Sequence, residues 1–483
     1  MGAAHMARDQ GRQPDVGPPG RTPSLALGLP RADRHGDRRA RPAPCGARLL
    51  PLRGPMPLPL PPGRPPRPGG GTARRVRSAP RAGAPGDRGH VGGPMNRLGI
   101  GIIGTGGVFE AHALAYAQLA SRARLLAVAD VDEPKLHLAA GRHRIPAAYA
   151  DSHELLARED VDLVVVCTPP SSHAEIAIAA LEAGKYVVCE KPLAPTLAAA
   201  DRILAAARRF PGRLSTVHQF RYLPEVQRAV WLRDRGDLGA LFFGRFSRYA
   251  RYRRPAKAPT SGQPPKGARS TWWGDWEVAG GGVAMTQLIH ELDLACHLFG
   301  PAAAVSATVD TLSEAIGSED TCAAIVRFES GAIVSCYGTV AAQRTWSGFD
   351  VFGSLGSVHH PWAFECMDRA RREETLPAVL AVHPLPPPAS QPDPQSSAHT
   401  PYVAAVLDAI DEGRPLPIGP DEARTSVELC TAIYASALSG SHVALPLDRT
   451  HRHYTGITRA DYEVRVRHGR GAARVREARG SSR

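Results

Sequence analysis

Apolar runs alternate with helical patterns between residues 98 and 219, and this alternation constrains the fold more than any other feature of the sequence. The runs are LGIGIIG, ARLLAVAD, VDLVVVCTP, KYVVCEKP and RLSTVHQ. Because parallel neighbours need a crossover between them, buried strands separated by helices predict a doubly wound parallel sheet. We therefore expect an α/β domain over residues 95–219.

The pattern changes after about residue 220. GALFFGRFSRYARY, AAVSATVD, TCAAIVRF and AIVSCYGTV are typical of strands, and a tight ESG turn joins the last two. Such a turn links neighbouring antiparallel strands. Residues 220–450 are thus predicted to form a second domain, of the α+β class, with a mostly antiparallel sheet.

The two ends of the chain differ in composition from its middle. Residues 1–94 contain 19 Pro and 17 Gly with neither Lys nor Glu, which predicts a disordered extension. The pair Arg38-Arg39 would suit twin-arginine export, but prolines and arginines interrupt the apolar stretch that follows, so we expect Met95 to be the functional start. Residues 451–483 are interpreted as a solvated basic tail.

The formal net charge of +13 belongs to these ends. Residues 1–94 carry 17 Arg and 5 Asp, and residues 451–483 carry 9 Arg and 3 acidic residues, so the middle has a net charge of −5. A protein that docks on nucleic acid needs its positive charge on the docking domain. The composition therefore argues against a nucleic-acid partner.

Eight cysteines are scattered along the chain without a C-x-x-C pair or a metal-like spacing. We interpret them as reduced, mostly buried thiols and expect no metal site. No apolar stretch in the sequence approaches the length of about 18 residues that a membrane span requires. The sequence is therefore typical of a cytoplasmic protein without a membrane partner.

The turn after the first strand, in GIIGTGGVFEAH, has the glycine spacing of a dinucleotide-binding loop. Glycines permit the tight turn and the close approach of a pyrophosphate to the helix N-terminus. Phe109 stands at the third glycine position, where helix and strand usually pack closely. The candidate cofactor-binding residues in this loop are Gly104, Thr105, Gly106, Gly107 and Val108.

Asp130 ends the second strand, 26 residues after Gly104. A carboxylate at that place can accept hydrogen bonds from the adenosine ribose hydroxyls and repels a 2′-phosphate. The sequence thus favours NAD as the cofactor over NADP. Asp132 is a nearby competitor for the same role.

Four segments of the chain occur together in a characteristic order and spacing. They are GIIGTGGVFEAH, VADVD, VDLVVVCTPPSSHAEIAIAALEAGKYVVCEKPLAPT and GGGVAMTQLIHELD. In these segments the chain resembles, over residues 95–450, the Gfo/Idh/MocA family of oxidoreductases, named after glucose-fructose oxidoreductase, inositol dehydrogenase and rhizopine catabolism. The resemblance implies a Rossmann domain followed by an open, mostly antiparallel sheet domain, with hydride transfer on sugars, polyols or inositols between them. It also implies a homo-oligomer, a dimer or a tetramer, assembled through the open sheet face.

The resemblance assigns residues near the carboxyl ends of the strands to the cofactor. Thr168 and Pro169 follow the strand VDLVVVC, and His173 lies on the next helix; these positions line the cofactor channel in the family. Glu190 and Lys191 belong to the E-K-P motif, in which the lysine ammonium lies beside the reacting carbinol and the Lys-Pro bond can be cis.

The resemblance also assigns residues on the substrate side. His290 corresponds to the catalytic histidine, although a lone histidine on an apolar helix is more often a satisfied core residue. Thr286 is the third candidate catalytic residue; it stands one turn earlier, where many members carry an Asp that orients the imidazole and raises its basicity. Arg221 matches a substrate-side arginine, and a surface or interdomain ion pair is the alternative interpretation of that residue.

These assignments predict an NAD-dependent oxidoreductase that acts on a secondary alcohol of a sugar, polyol or inositol, or on the corresponding ketone. His290 would take the hydroxyl proton while Lys191 stabilises the alkoxide, with hydride passing to the nicotinamide. Two alternatives remain open: a non-catalytic NAD(P)-sensing binding protein or corepressor of the same fold, and an elimination enzyme that recycles bound NAD.

Overall fold

The structure, a computed structural model, describes residues 97–251, 271–312, 317–385 and 398–464. The predictions for residues 1–94 lie outside these ranges, as does the tail beyond residue 464. Within the described ranges, no helix combines the length and the apolar character that crossing a membrane requires.

The first sheet contains six parallel strands, which confirms the predicted doubly wound architecture. The strands are β1 (Leu98–Ile103), β2 (Ala123–Ala129), β3 (Ala147–Tyr149), β4 (Leu163–Val166), β5 (Tyr186–Cys189) and β6 (Leu214–Thr216). Their spatial order is β3-β2-β1-β4-β5-β6. Strands β2 and β3 are added on one side of β1, and β4, β5 and β6 are added on the other side, so the strand order reverses between β1 and β4. Dinucleotides bind in the crevice at such a switch point.

Strand β4 shows why these runs are apolar without interruption. All four of its residues are buried. Val164 and Val166 face a core shared with the later helices of the domain, whereas Leu163 and Val165 face a core shared with the first helix. A strand covered on both faces needs an apolar side chain at every position. The short strand β3 was not predicted, because three residues carry no recognisable alternation.

Six helices lie between residues 109 and 234. They are α1 (Phe109–Gln118), α2 (Glu133–His143), α3 (Ser152–Leu156), α4 (His173–Glu182), α5 (Leu197–Ala207) and α6 (Pro224–Asp234). Phe109 occupies the third glycine position of the loop without opening the helix away from the sheet. Its ring is buried and packs edge-on against His143 of α2, with ring centroids 5.4 Å apart.

The second sheet has eight strands and is mostly antiparallel, as predicted. The strands are β7 (Leu241–Arg251), β8 (Ala302–Asp310), β9 (Thr321–Phe328), β10 (Ile333–Thr339), β11 (Ala341–Gly353), β12 (Ser357–His359), β13 (Ala363–Glu365) and β14 (Val443–Ala444). Their order is β13-β12-β11-β7-β10-β9-β8-β14, and the pair β7–β10 is parallel. Burial alternates along β9, so this strand has one face on the core.

The helices that follow β7 in the chain pack on the second sheet or return to the first sheet. They are α7 (Trp276–Ala279), a π-helical turn (Ala284–Leu288), α8 (Ile289–Phe299), α9 (Arg369–Val382), α10 (His399–Asp411) and α11 (Pro420–Ser439). Phe299 at the end of α8 packs against Phe246 of β7 and Phe328 of β9, with ring centroids 6.3 and 5.5 Å apart. This contact sets α8 on the sheet.

Helix α10 belongs to the covering of the first sheet, although it follows the second sheet in the chain. Tyr402 and Val406 share a core with Ala113 and Tyr116 of α1. The hydroxyls of Tyr402 and Ser215 of β6 lie 2.7 Å apart. A helix that was expected to belong to the second domain thus packs on the first sheet.

The triple glycine before α8 is enclosed by protein on all three residues. A Cβ on Gly280 would lie 2.5 Å from the carbonyl oxygen of Pro195, and one on Gly281 would lie 2.1 Å from the hydroxyl of Tyr434. A Cβ on Gly282 would lie 1.9 Å from the carbonyl oxygen of Glu319. Close packing of the chain on itself thus accounts for these glycines.

The carboxylate of Glu319 fixes the turn that contains the three glycines. Its carboxylate accepts hydrogen bonds from the backbone N–H groups of Gly282 (2.8 Å) and Ala284 (3.0 Å) and from the hydroxyl of Tyr434 (2.7 Å). The residue is fully buried, and burial raises its pKa to about 7. The start of the π-helical turn is therefore held by one carboxyl group.

Replacing Gly281 by Ala should lower the free energy of unfolding by about 2 kcal/mol or more, because the added methyl group overlaps Tyr434. Gly331, in the β9–β10 turn, has a φ of +88° but no atom within 4 Å of its Cβ position, so Gly331→Ala should cost only about 1 kcal/mol. Urea denaturation of both variants measures the difference. Equal losses would contradict the packing explanation.

Candidate active site

The glycine loop after β1 has the shape that a pyrophosphate needs. Gly104 has a φ of +97°, and a Cβ there would lie 2.6 Å from the carbonyl carbon of Cys167, so the loop lies directly against the end of β4. A Cβ on Gly106 or Gly107 would meet nothing within 4 Å. No side chain caps the first turn of α1 at Val108. Open glycines that lead into an uncapped helix N-terminus fit a dinucleotide phosphate.

Asp130 adjoins this loop. Its Oδ2 accepts hydrogen bonds from the backbone N–H (2.6 Å) and the hydroxyl (2.8 Å) of Thr105, and its Oδ1 accepts one from the N–H of Asp132 (2.9 Å). Asp132 instead caps α2 through the N–H of Lys135 and pairs with the Lys135 ammonium, and these bonds lower its pKa. Of the two candidates, Asp130 is the carboxylate beside the glycine loop.

His173 joins the loops after β4 and β5. Its Nδ1 lies 2.9 Å from the carbonyl oxygen of Pro192, and its Nε2 lies 2.9 Å from that of Thr168. The ring is buried, and burial lowers its pKa. The sequence placed His173 in the cofactor channel, but both nitrogens face main-chain carbonyls. Thr168 and Pro169 are the partly exposed members of this group at the sheet edge.

Glu190 is a buried carboxylate held by two histidines. Its Oε1 lies 2.9 Å from Nε2 of His112 and 3.7 Å from Nε2 of His399, and its Oε2 accepts the N–H of Lys191 (3.1 Å). Burial raises the pKa of Glu190, but the hydrogen bond with His112 and the nearby ring of His399 outweigh burial and bring the pKa below its ordinary value. Glu190 is thus ionised.

The sequence does not predict a role for His112 or His399. Neither follows a spacing rule, and they come from helices far apart in the chain. With Glu190 they have the donor types of a metal site, since one ligand atom of each lies within 4.8 Å of the others. Their visible contribution is to hold the carboxylate of Glu190 in place next to Lys191.

Lys191 reaches across from the first sheet to the π-helical turn. Its ammonium donates a hydrogen bond to the carbonyl oxygen of Thr286 (2.8 Å) and lies 5.9 Å from the ring centre of Trp273. Burial lowers the pKa of Lys191 to about 8; Arg248 lowers it further, whereas Glu190 and Glu291 oppose the change. The peptide bond between Lys191 and Pro192 is cis.

Thr286 acts in this structure through its main chain. Its hydroxyl donates to the carbonyl oxygen of Gly282 at 2.6 Å, as Ser and Thr often do within a helix. Because neither ring nitrogen of His290 has a hydrogen-bond partner, the hydroxyl does not orient the imidazole. The expectation of a catalytic Thr286 side chain is therefore not supported, and the carbonyl that receives Lys191 is its contribution.

His290 is buried yet unsatisfied. Its side chain is 1% exposed and stacks on Phe220, with ring centroids 4.4 Å apart and planes at 18°. Burial, Lys191 and Arg248 all lower its pKa well below the ordinary value. A core histidine normally satisfies its nitrogens. A neutral imidazole with two unpartnered nitrogens is instead suited to accept a proton from a ligand.

The guanidinium of Arg221 is engaged in a buried ion pair. Its Nε and Nη2 donate to the two carboxylate oxygens of Asp293 at 2.8 and 2.7 Å, and its Nη1 bonds Glu422. Asp293 follows His290 by one turn of α8. The geometry favours the ion pair over the substrate-side role.

Exchanging Arg221 for Gln should lower the free energy of unfolding by about 3 kcal/mol, because Asp293 would remain as an unpaired buried charge. Asp293→Asn should cost a similar amount, and the double variant should cost less than the sum of the two. Denaturant unfolding of the three proteins measures this coupling. Additive losses, or full stability with a raised KM in Arg221→Gln, would favour the substrate-side role instead.

The fold and the open glycine loop define a dinucleotide-binding protein with a second, mostly antiparallel domain. Residues 98–218 match the oxidoreductase family with an NAD-binding Rossmann fold, and residues 226–359 match the GFO/IDH/MocA C-terminal domain. The chain belongs to the GFO/IDH/MocA family of oxidoreductases and is related to inositol 2-dehydrogenases, which confirms the resemblance seen in the sequence.

Two enzymes illustrate the relationship. The chain is 30% identical to the myo-inositol 2-dehydrogenase of Thermotoga maritima over 269 residues, which cover 54% of this chain and 74% of that enzyme. It is 28% identical to the D-apiose dehydrogenase of Paraburkholderia graminis over 369 residues, which cover 73% of this chain and 90% of that enzyme.

Solved structures show the same architecture. Levoglucosan dehydrogenase in complex with NADH is similar with a TM-score of 0.63 at 23% identity, over 73% of this chain and 100% of that one. The WlbA dehydrogenase of Bordetella pertussis, in complex with NADH and UDP-GlcNAcA, is similar with a TM-score of 0.61 at 25% identity, over 73% and 99% of the two chains. NADH is thus bound by both of these relatives.

Proposed function

We propose that this protein is an NAD-dependent oxidoreductase that transfers hydride between the cofactor and a secondary alcohol or ketone of a sugar, polyol or inositol. The observation that carries the proposal is His290, a buried neutral imidazole without a protein partner, close enough to the Lys191 ammonium for that charge to lower its pKa. Relatives named for myo-inositol, D-apiose and levoglucosan support the substrate class.

The acid-base step would use these two side chains. When bound, the nicotinamide supplies the hydride acceptor. In oxidation, a ring nitrogen of His290 takes the proton of the substrate hydroxyl, while Lys191 donates a hydrogen bond to the oxygen as its negative charge grows. One N–H of the Lys191 ammonium donates to the carbonyl oxygen of Thr286, and this bond orients the other two N–H groups. Reduction follows the same path in reverse.

Cofactor binding would rest on the loop from Gly104 to Val108 and on Asp130. The open positions of Gly106 and Gly107 accommodate the pyrophosphate, and Asp130 keeps free lone pairs for a ribose hydroxyl. Thr168 and Pro169 lie at the same edge of the sheet, and His173 positions the loop that carries them. A carboxylate beside the ribose supports NAD over NADP.

A homo-oligomer is proposed for the outer face of the second sheet. Phe243 and Ile333 are direct neighbours on that face, 41% and 36% exposed, and Ile325 is 51% exposed. Exposed apolar side chains grouped on a sheet are typical of a protein interface. We propose a dimer or a tetramer through this face.

Removing either acid-base group should abolish most of the activity. Lys191→Ala and His290→Ala should each lower turnover by about 10² or more, with NADH affinity nearly unchanged. An NAD(H)-coupled screen of inositols, aldoses and ketoses provides the substrate, and turnover is corrected for the folded fraction. Full activity in folded His290→Ala would contradict the proposal. NADH binding without turnover by the native protein would favour the sensing role.

The pH profile tests the state of Lys191. Because its pKa is about 8, the ammonium is lost as the pH rises through that value, and kcat/KM should fall on the alkaline side with an apparent pKa near 8. Lys191→Arg keeps a positive charge over this range, so its residual activity should lack the fall. An alkaline fall that survives in Lys191→Arg would assign it to another group.

Cofactor preference tests Asp130. Fluorescence titration should give tighter binding of NADH than of NADPH, and Asp130→Ser should weaken NADH selectively. Asp132→Ser is the matched control, since that carboxylate caps α2. Equal affinities for both cofactors in the native protein would contradict the role of Asp130.

A further inference from the structure

Two buried charged side chains near His290 take no part in the acid-base step. Arg248 of β7 is 3% exposed and Glu291 of α8 is 2% exposed. Arg248 Nε and both carboxylate oxygens of Glu291 lack a hydrogen-bond partner, like the two nitrogens of His290. Buried polar groups in native proteins are normally satisfied, so several such groups in one place indicate a ligand or water.

These groups lie around one aromatic ring. His290 stacks on Phe220 at 4.4 Å, and the guanidinium carbon of Arg248 lies 5.1 Å from the centre of the same ring. Arg248 and Glu291 approach each other to 3.8 Å, which is too long for a hydrogen bond. The bond from Arg248 to Gln287, at 3.4 Å, is long as well.

The other buried carboxylates of this region already have partners. Glu190 is held by His112 and His399, and Asp293 is held by Arg221. None of these groups can therefore form a hydrogen bond with Arg248 or Glu291 without giving up its own partner. Besides His290 itself, the unmet hydrogen-bonding capacity near the site lies on Arg248, on Glu291 and on the buried ring of His218.

A hydroxyl group is the ligand chemistry that satisfies both. Arginine only donates hydrogen bonds, a carboxylate only accepts them, and a hydroxyl does both. Two neighbouring hydroxyls could thus accept from Arg248 and donate to Glu291. Burial raises the pKa of Glu291 to about 7, so both the ionised and the neutral form of this carboxyl group are populated near neutral pH.

We propose that Arg248 and Glu291 are specificity-determining residues that bind neighbouring hydroxyl groups of the substrate, next to the carbon that His290 and Lys191 serve. This inference rests on the proposed function and narrows its substrate class to neutral compounds with adjacent hydroxyls. A sugar acid would place a second anion beside Glu291 and is disfavoured.

The test compares full-length native protein with Glu291→Gln and Arg248→Lys. Each is assayed with NAD on myo-inositol, levoglucosan, D-apiose and D-glucuronate, and calorimetry on the NADH-loaded proteins measures binding of the same four compounds. Glu225→Gln is the matched control, because Glu225 lines a small cavity with Glu291 but has no part in the proposed site. NADH affinity and melting temperature report whether each variant folds.

For the neutral compound that responds best, each variant should raise KM by about 10- to 100-fold, the usual effect of losing a hydrogen bond to a charged group, with a smaller change in kcat. The preference of the native protein for that compound over its monodeoxy analogue should shrink in both variants. Glu225→Gln should behave as the native protein.

Three results would overturn the inference. The first is an unchanged KM and monodeoxy preference in folded Glu291→Gln and Arg248→Lys. The second is a preference for D-glucuronate that depends on Arg248 alone. The third is the absence of binding and turnover with all neutral compounds. If His290→Ala is also fully active on a compound that the native protein oxidises, the proposed function itself fails. If His290→Ala is inactive but Glu291→Gln and Arg248→Lys keep the native specificity, only this inference fails.

Discussion

The ion pair between Arg221 and Asp293 is the interaction on which the geometry of the site depends. Both groups are buried, and the guanidinium bonds both carboxylate oxygens. Separating them would leave unpaired charges buried in the protein interior, at a cost of several kcal/mol. Because Phe220 precedes Arg221 and His290 lies one turn before Asp293, the same pair holds the imidazole on the phenylalanine ring. The edge of the first sheet and helix α8 are thereby fixed together.

Neighbouring titratable side chains near this ion pair differ in their protonation states. Glu190 stays ionised because His112 hydrogen-bonds it and His399 lies beside it, whereas burial and two nearby cations keep His290 neutral. Lys191 lies between them, with a pKa of about 8. Groups whose environments push their pKa values apart are suited to acid-base chemistry, and here the separation follows from burial and placement.

The sequence predicted the fold better than the contacts within the site. Runs such as LVVV, set between helical patterns, predict a doubly covered parallel sheet, since a strand covered on both faces needs an apolar side chain at every position. Lys191 and His290 were found through the family motifs. The hydroxyl of Thr286 could not be placed, because a bond to its own helix competes with one to His290. Arg248 and Glu291 went unnoticed, since only the packing of β7 on α8 brings them together.

The protonation of His290 tests the account most directly and needs no substrate. Nitrogen NMR of the histidine-labelled protein, with the His290 signals assigned from His290→Gln, follows the imidazole between about pH 5.5 and 8. The account predicts a neutral ring throughout this range, because its pKa lies well below the ordinary value of 6.5. A ring that titrates at or above 6.5 would contradict it, since such a histidine would have a stabilising partner and would not be the free base that the site requires.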